Sequence, residues 1–243
     1  MRWSLILLLG SVLAGDHLRD IDADSAIPTW SNNGDSSWWY ARHREIQDRV
    51  HDSDPLAVMM GDSITQGWED AGQVVWQQYY GKRRAMNLGF NKDRTEDLLW
   101  RLQHGEIAGM SPKLAIVMIG TNNLAAGQSE QRTAAGIHAV VLALRERLPH
   151  TNILLLAIFP RLASPRDPLR RSIRSVNEII ARYADDRHIF YLDLTEKFVD
   201  DKGDLLQDVM PDGIHPNELG YRIWAEAMEP TIEQLLHTQE TTD

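Results

Sequence analysis

The sequence contains no cysteine, which excludes disulfide bonds, catalysis by a thiolate and metal sites built on thiolates. Basic residues are also scarce: 25 lysines and arginines are set against 35 aspartates and glutamates, for a formal net charge of −10. Because binding to nucleic-acid phosphates needs a basic face, this balance argues against DNA or RNA as a partner. The sequence shows no internal repeats, and its 243 residues are 43% hydrophobic, which suits one sizeable core.

Apolar runs long enough to cross a bilayer are missing too. The run over residues 5–13 is short, follows Arg2 and ends beside Ala14. A basic start, a short apolar core and a small residue at the end predict a secretory signal peptide over residues 1–14. The alternative is a mildly apolar, irregular start. A signal peptide would make the mature protein secreted or periplasmic, without stable membrane insertion.

Residues 15–35, rich in Asp, Ser, Asn and Gly, are predicted to form an irregular lead-in, and residues 36–243 a single domain. In this domain, apolar runs of strand length alternate with segments of helical periodicity. The runs cover residues 56–60, 84–88, 114–120, 153–159 and 189–194. Uniformly apolar strands are covered on both faces, and their alternation with helices implies right-handed crossovers. The pattern predicts an α/β fold: a three-layer α/β/α sandwich with about five parallel strands.

Two helices have boundaries that the sequence predicts in detail. One opens with Asp93 and Glu96 as a capping box. The last helix is predicted to begin near Pro216, to bury Leu219 and to break before Pro230, since proline cannot supply a helical N–H.

The most informative motif is Gly61-Asp62-Ser63, directly after the apolar run 56–60. It predicts a buried strand that delivers one serine hydroxyl to its carboxyl end, where ligands bind in open α/β sheets. A serine hydroxyl is a poor nucleophile until a base takes its proton and donors stabilise the oxyanion. The rest of the sequence must therefore supply both.

The strongest candidate for the base is His215, one of nine histidines. It lies in the loop 211–216, with Asp212 three residues earlier, and this spacing lets a carboxylate hold one imidazole nitrogen while the other faces outward. The alternative is a solvated turn with a capping aspartate. A metallohydrolase that uses this pair is less favoured, because no further ligand cluster accompanies it.

Oxyanion donors are expected at other strand ends. Asn122 follows the run 114–120 and would present its side-chain amide there, although an asparagine at a strand end is commonly only a turn former. The loop 87–95 runs into a predicted helix N-terminus, where unpaired backbone N–H groups suit a developing negative charge.

These four blocks, in this order, resemble the SGNH (GDSL-type) hydrolase family over residues 55–235. Segments 99–102, 105–106 and 160–161 are most similar to the catalytic subunits of platelet-activating-factor acetylhydrolase Ib and related bacterial esterases. The resemblance implies a flavodoxin-like fold and no cofactor or metal.

The resemblance also implies residue roles. Ser63 would be the nucleophile, His215 the general base and then the general acid, and Asp212 the orienting carboxylate. The oxyanion hole would combine the Ser63 N–H, a backbone N–H of the second block and the Asn122 side chain. A homodimer is conceivable on the same ground.

The second block departs from the family pattern. Related sequences have glycine just before an Asp-x-Thr triplet, where this chain has Lys92, and Gly89 stands three residues earlier. A glycine there can demand a positive φ, which lysine tolerates poorly. Both Gly89 and Lys92 are therefore candidates for the second donor.

Two residues are candidates for substrate binding. Arg161, just past a predicted strand end, could receive an anionic group. Trp68 would either line the pocket or pack in the core.

The sequence thus predicts a secreted serine esterase that hydrolyses short acyl esters, acetyl esters above all, through an acyl-enzyme, with a carbohydrate ester as substrate. The alternative enzyme is a lysophospholipase or phospholipid acetylhydrolase, for which a long acyl chain would need an apolar trough. The alternative of another class is a non-catalytic ligand-binding protein on the same fold. The presence of all four blocks counts against it.

Overall fold

The structure, a computed structural model, describes residues 36–238. The predicted signal peptide (1–14) and lead-in (15–35) lie outside the described residues, as do residues 239–243. In the described part, strands and helices alternate along the chain as the sequence predicts. The strands are β1 (Ala57–Gly61), β2 (Ala85–Gly89), β3 (Leu114–Met118), β4 (Asn152–Leu156) and β5 (Ile189–Leu192). The helices are α1 (Ser37–His51), α2 (Ser63–Gln66), α3 (Gln73–Tyr79), α4 (Thr95–Gln103), α5 (Thr121–Ala125), α6 (Glu130–Arg147), α7 (Pro168–Ile180) and α8 (Glu218–Thr238).

The five strands form one parallel sheet in the order β2-β1-β3-β4-β5. This is the flavodoxin-like order, in which ligands bind at the carboxyl ends of the strands where the chain reverses its direction of winding. That switch point lies between β1 and β3. The register aligns Gly61, at the end of β1, with Gly89 on one side and Met118 on the other. The sheet therefore places the segments that follow β1, β2 and β3 side by side.

Helices cover both faces of the sheet, as predicted. Alternate residues of β1 point to opposite sides: Val58 and Met60 join the core that includes α1, α4, α6 and α7, whereas Met59 joins the core beneath α3 and α8. Strands β1, β3 and β4 are buried along their full length, which suits their sequences: Asn152 at the start of β4 is their one polar residue. The strand β5 is an edge strand and only half-buried, so the expectation of cover on both faces is wrong there.

The last helix differs from the prediction in two ways. Pro230 does not break it: α8 continues to Thr238, and Met228 and Ile232 on either side of the proline are both buried. Packing of this apolar face outweighs the N–H that proline lacks. Leu219 is 49% exposed. Residues two positions apart project from different sides of a helix, so Leu219 lies outside the stripe that contains the buried Tyr221.

The start of α4 is one residue later than predicted. Asp97, not Glu96, closes the first turn by accepting the Arg94 N–H at 2.8 Å. Asp93 is no cap, because its carboxylate is fully buried and hydrogen-bonded to other side chains. Within residues 36–238, no helix has the length and apolar character that a membrane crossing requires.

Candidate active site

The serine of the opening motif lies where the chain leaves β1 and enters α2. Asp62 caps this helix: its Oδ1 accepts the Ile64 N–H at 3.0 Å. Gly61 is needed for close approach, since a Cβ there would lie 2.3 Å from the Met118 carbonyl oxygen. The turn leaves Ser63 only partly buried at the carboxyl edge of the sheet.

Three side chains meet at this edge in a line of hydrogen bonds. Ser63 Oγ lies 2.9 Å from His215 Nε2, and His215 Nδ1 lies 2.6 Å from Asp212 Oδ2. A neutral imidazole that donates from Nδ1 to the carboxylate presents Nε2 as an acceptor to the serine hydroxyl. The structure therefore brings Ser63, His215 and Asp212 together in the geometry of a serine-hydrolase triad.

The loop that carries Asp212 and His215 is held by short-range contacts. Asp212 Oδ1 accepts the backbone N–H groups of Ile214 at 2.9 Å and His215 at 2.7 Å. The carbonyl of Gly213, where φ is +78°, accepts the Leu162 N–H at 2.8 Å. Partial burial alone would raise the pKa of Asp212, but the hydrogen bonds from His215 and Ile214 outweigh it and lower that pKa. The carboxylate thus stays ionised and can balance an imidazolium.

The side chain of Asn122 lies in the first turn of α5, beyond Gly120, whose φ is +121°. Its Nδ2 donates to the Asp93 carbonyl at 3.0 Å. A primary amide carries two N–H bonds, so this contact orients the side chain and leaves a second N–H for an oxyanion.

The structure distinguishes the two candidates for the second backbone donor. The N–H of Gly89 donates to Asn87 Oδ1 at 2.8 Å, and a Cβ at Gly89 would lie 2.2 Å from Gln66 N. Gly89 is therefore needed for close packing against α2, and its N–H is committed to a side chain. Lys92 has a φ of +63°, the left-handed conformation that glycine would favour. This conformation fits the glycine position of the family pattern, so Lys92 remains a candidate for the second donor.

Two further charged groups lie close to the triad. Burial raises the pKa of Asp62 to about 6, although the Ile64 N–H, His215 and Arg161 oppose that rise. Partial burial lowers the pKa of Arg161, against the pull of Asp62 and Asp212. Arg161 also donates to Thr121 Oγ1 at 3.2 Å, beside Asn122 in the chain. Its position at the catalytic edge agrees with the predicted one.

Trp68 is not at the surface of the site. It is 1% exposed and packs against Tyr221 and Trp224, with ring centroids 4.5 and 4.9 Å away. The prediction of a substrate contact is therefore wrong, and the alternative of core packing applies. Among residues 36–238, no group of three or more His, Asp or Glu side chains is placed to hold a metal ion.

The sequence did not predict the role of Asp93, a buried residue beside the oxyanion side of the site, which is the side that carries Asn122 and Lys92. Asp93 accepts hydrogen bonds from Trp39, which is distant in sequence, and from Arg101 in α4. The only signal in the sequence was the Asp-x-Thr triplet itself, which was interpreted as a helix cap.

The sheet order and the triad geometry are those of an SGNH-type hydrolase on a three-layer α/β/α sandwich. The chain belongs to the GDSL-like Lipase/Acylhydrolase family, whose model matches residues 59–223. This membership makes the protein a carboxylic ester hydrolase.

Two relatives support the assignment to this class of hydrolases. The chain is 32% identical over 215 residues to human platelet-activating factor acetylhydrolase IB subunit alpha1, covering 88% of this chain and 90% of the relative. It is 30% identical to the alpha2 subunit from Rattus norvegicus, with coverage of 87% and 91%.

Solved structures share the fold. A GDSL-like lipase from Bacteroides thetaiotaomicron superposes with a TM-score of 0.66 at 20% identity, covering 80% of this chain and 98% of that one. An acetylxylan esterase from Geobacillus stearothermophilus, solved as a catalytic mutant, gives 0.54 at 19% identity, with coverage of 71% and 91%.

Proposed function

We propose that the protein is a serine esterase that hydrolyses short acyl esters, acetyl esters above all, through an acyl-enzyme on Ser63. The observation that carries the proposal is the line of hydrogen bonds from Ser63 Oγ to His215 Nε2 (2.9 Å) and from His215 Nδ1 to Asp212 Oδ2 (2.6 Å). The mutants of the Geobacillus esterase that are described as catalytic replace a serine and a histidine, which supports the same pair here.

The first half of the reaction forms the acyl-enzyme. His215 Nε2 takes the hydroxyl proton as Ser63 Oγ attacks the ester carbonyl carbon, and the carbonyl oxygen becomes an oxyanion. The backbone N–H groups of Ser63 and Lys92 and the Asn122 amide donate to that oxyanion. The tetrahedral intermediate then expels the alcohol, which receives the proton from the imidazolium.

The second half reverses these roles. A water molecule gives a proton to His215 Nε2 and attacks the acyl carbon. As the second tetrahedral intermediate collapses, the imidazolium gives that proton to Ser63 Oγ and the carboxylic acid leaves. Asp212 remains ionised throughout and balances the imidazolium, consistent with its lowered pKa.

Acetyl is the acyl group that the comparisons favour. The named relatives are acetylhydrolases, and a structural neighbour is an acetylxylan esterase. For the alcohol, we propose a carbohydrate. Arg161 lies at the catalytic edge and would suit a sugar that also carries an anionic group.

A phospholipid acetylhydrolase is the second candidate. It is favoured by the 32% identity to platelet-activating factor acetylhydrolase IB subunit alpha1 over 88% of the chain. A carbohydrate and a phospholipid differ in the leaving alcohol only, so the same triad chemistry applies to both.

We also propose export from the cytoplasm, on the strength of the sequence of residues 1–14 alone. Expression of the full chain in a bacterial host should yield a secreted or periplasmic protein that begins after Ala14. Cell fractionation and N-terminal sequencing test this, and a protein that stays in the cytoplasm with Met1 intact would contradict it.

A substrate panel tests the function. Acetate release is measured from p-nitrophenyl acetate, acetylated xylan, O-acetylated sialate and an acetylated phospholipid, with p-nitrophenyl octanoate to probe acyl length. We expect hydrolysis of the acetyl esters and preference for a sugar. Preference for the phospholipid would select the second candidate, and preference for octanoate would contradict the assignment of acetyl.

Replacement of the nucleophile tests the mechanism. Ser63→Ala should lower kcat for p-nitrophenyl acetate by about 10⁶-fold while the unfolding midpoint changes little, because the hydroxyl is only partly buried. Turnover at the wild-type rate in a folded Ser63→Ala protein would contradict an acyl-enzyme on Ser63.

A further inference from the structure

Three charged side chains are buried together beneath the oxyanion side of the site. Asp93, Arg101 and Glu106 are each 0% exposed. Arg101 Nε donates to Asp93 Oδ2 at 2.9 Å, and its guanidinium also donates to Glu106. Burial of these charges is costly, and a buried ion pair is often no more stabilising than apolar side chains of the same volume. Stability alone is therefore a weak reason for this group to be here.

The arginine in this group remains charged. Burial disfavours the guanidinium, but Glu106 and Asp93 more than compensate and hold the pKa of Arg101 above its ordinary value. Burial also raises the pKa of Asp93, but the Arg101 charge 2.9 Å away and the Trp39 N–H oppose that rise and favour the carboxylate. A buried, permanently charged guanidinium has a rigid fork of donors, and it fixes the direction of any carboxylate that it pairs with.

Asp93 connects this buried group to the oxyanion donors. Its Oδ1 accepts the Trp39 indole N–H at 2.7 Å, and its Oδ2 accepts from Arg101. Its backbone carbonyl accepts the Asn122 amide at 3.0 Å. Lys92, the candidate backbone donor, precedes it in the chain with a φ of +63°. One residue is thus tied to both donors.

The loop before Asp93 is also held from two sides. The Arg101 guanidinium carbon lies 3.9 Å from the centroid of the buried Phe90 ring. The Gly89 carbonyl accepts Arg42 Nε at 2.9 Å. Together with the anchored Asp93 side chain, these contacts fix the chain on both sides of Lys92, which is what a residue in an unfavourable left-handed conformation requires.

We propose that Asp93 is the positioning residue of the oxyanion hole: anchored by Arg101 and Trp39, it fixes the Asn122 amide and the Lys92 backbone. Asp93 itself does not touch the substrate. The proposal rests on the proposed function, because it takes Ser63 as the nucleophile and these two groups as donors.

The main test is Asp93→Asn. The asparagine oxygen can still accept from Trp39, but its NH₂ group would face the Arg101 N–H, so two donors oppose each other. We expect kcat for p-nitrophenyl acetate, expressed per active site titrated in the pre-steady-state burst, to fall by about 10- to 100-fold. KM should stay within about threefold, because the donors act mainly in the transition state. The midpoint of the kcat–pH profile should not move, because the His215–Asp212 pair is untouched.

Trp39→Phe is a milder second variant, which decides the matter if Asp93→Asn fails to fold. It removes one hydrogen bond to Asp93 and keeps most of the ring packing. We expect kcat per active site to fall by about 3- to 10-fold, again with little change in KM.

The matched control is Thr151→Val. Thr151 is 2% exposed and donates to the Pro112 carbonyl at 2.6 Å, beside the amino end of β4 and therefore at the opposite edge of the sheet. It should lose stability but keep the wild-type kcat. Wild-type kcat in a folded Asp93→Asn or in Trp39→Phe, or an equal loss of kcat in Thr151→Val, would overturn the proposal. Failure of the proposed function is distinguishable, because Ser63→Ala would then remain active.

Discussion

The two sides of the site are held in place by different means. On the base side, Asp212 and His215 belong to one short loop, and their side chains are 54% and 41% exposed. The aspartate orients the histidine and accepts two N–H groups of its own loop. On the oxyanion side, Asn122 and Lys92 come from segments that follow different strands, and both depend on the fully buried Asp93.

The two sides differ in whether local or tertiary contacts hold their functional groups. The base side is a local structure whose geometry follows from residues three positions apart, and it can tolerate exposure because its groups are polar and hydrogen-bonded. The oxyanion side must present uncharged donors at a fixed point, and donors on mobile loops stabilise an oxyanion poorly. A buried ion pair behind them supplies the rigidity.

Of the two sides, the base side should show the larger effect. In Asp212→Asn, Oδ1 can still accept the Ile214 and His215 N–H groups, but the NH₂ group would face His215 Nδ1 and impose the wrong tautomer. We expect kcat for p-nitrophenyl acetate to fall by about 10⁴-fold with the fold intact. The matched control is Asp200→Asn, since Asp200 Oδ1 likewise accepts two backbone N–H groups, those of Lys202 and Asp204. A comparable loss in the control would show that loop structure, not the tautomer, is responsible.

The next effect comes from the oxyanion side. Asn122→Ala removes a donor that acts on the developing negative charge, so kcat should fall by about 10²- to 10³-fold while KM changes little. Steady-state kinetics on p-nitrophenyl acetate measure both.

Asn152→Ala is the control for that variant. Asn152 is buried at the start of β4, and its side-chain amide also donates to a backbone carbonyl, that of Leu235 at 3.1 Å. It should cost stability and leave kcat unchanged. If Asn122→Ala retained full kcat, the oxyanion would have to be stabilised by the backbone donors alone.

The same contrast explains what the sequence could predict. Five apolar runs predicted five parallel strands in a three-layer sandwich, because buried parallel strands are predominantly apolar. The proximity of Ser63, Asp212 and His215 could be predicted, because one residue follows a strand end and the other two share one short loop. Asp93 was not predicted in its structural role, because its partners Trp39 and Arg101 meet it only through tertiary folding. The predicted helix break before Pro230 was wrong for a related reason: burial of the apolar face of α8 outweighs the local propensity of proline.

A smaller effect is expected at Asp62, which lies between the two sides. Burial raises its pKa from 3.8 to about 6, so the folded protein holds this proton more tightly than the unfolded chain. That contribution to stability is fully present below pH 3.8 and is lost as the pH rises through about 6. Asp62→Asn keeps an acceptor for the Ile64 N–H and does not titrate. Relative to wild type, it should therefore gain roughly 2 kcal/mol in free energy of unfolding between pH 4.5 and pH 7.5.

Urea unfolding at the two pH values measures this difference. Asp193→Asn is the control, because Asp193 likewise accepts a backbone N–H two residues on, that of Thr195, on an exposed loop. A gap between wild type and Asp62→Asn that does not change with pH would contradict a raised pKa at Asp62.

The smallest effect should be at Lys92, and it separates the backbone from the side chain. Lys92→Gly removes the ammonium group but keeps the N–H, and glycine adopts a φ of +63° without strain. If the backbone N–H is the donor and Asp93 fixes its direction, kcat should stay within about twofold and the free energy of unfolding within about 1 kcal/mol. Asp186→Gly, at an exposed residue with a φ of +53°, is the matched control for added backbone freedom. A tenfold loss of kcat in Lys92→Gly but not in Asp186→Gly would mean that the lysine charge stabilises the oxyanion, and that the oxyanion side is not purely a backbone and amide device.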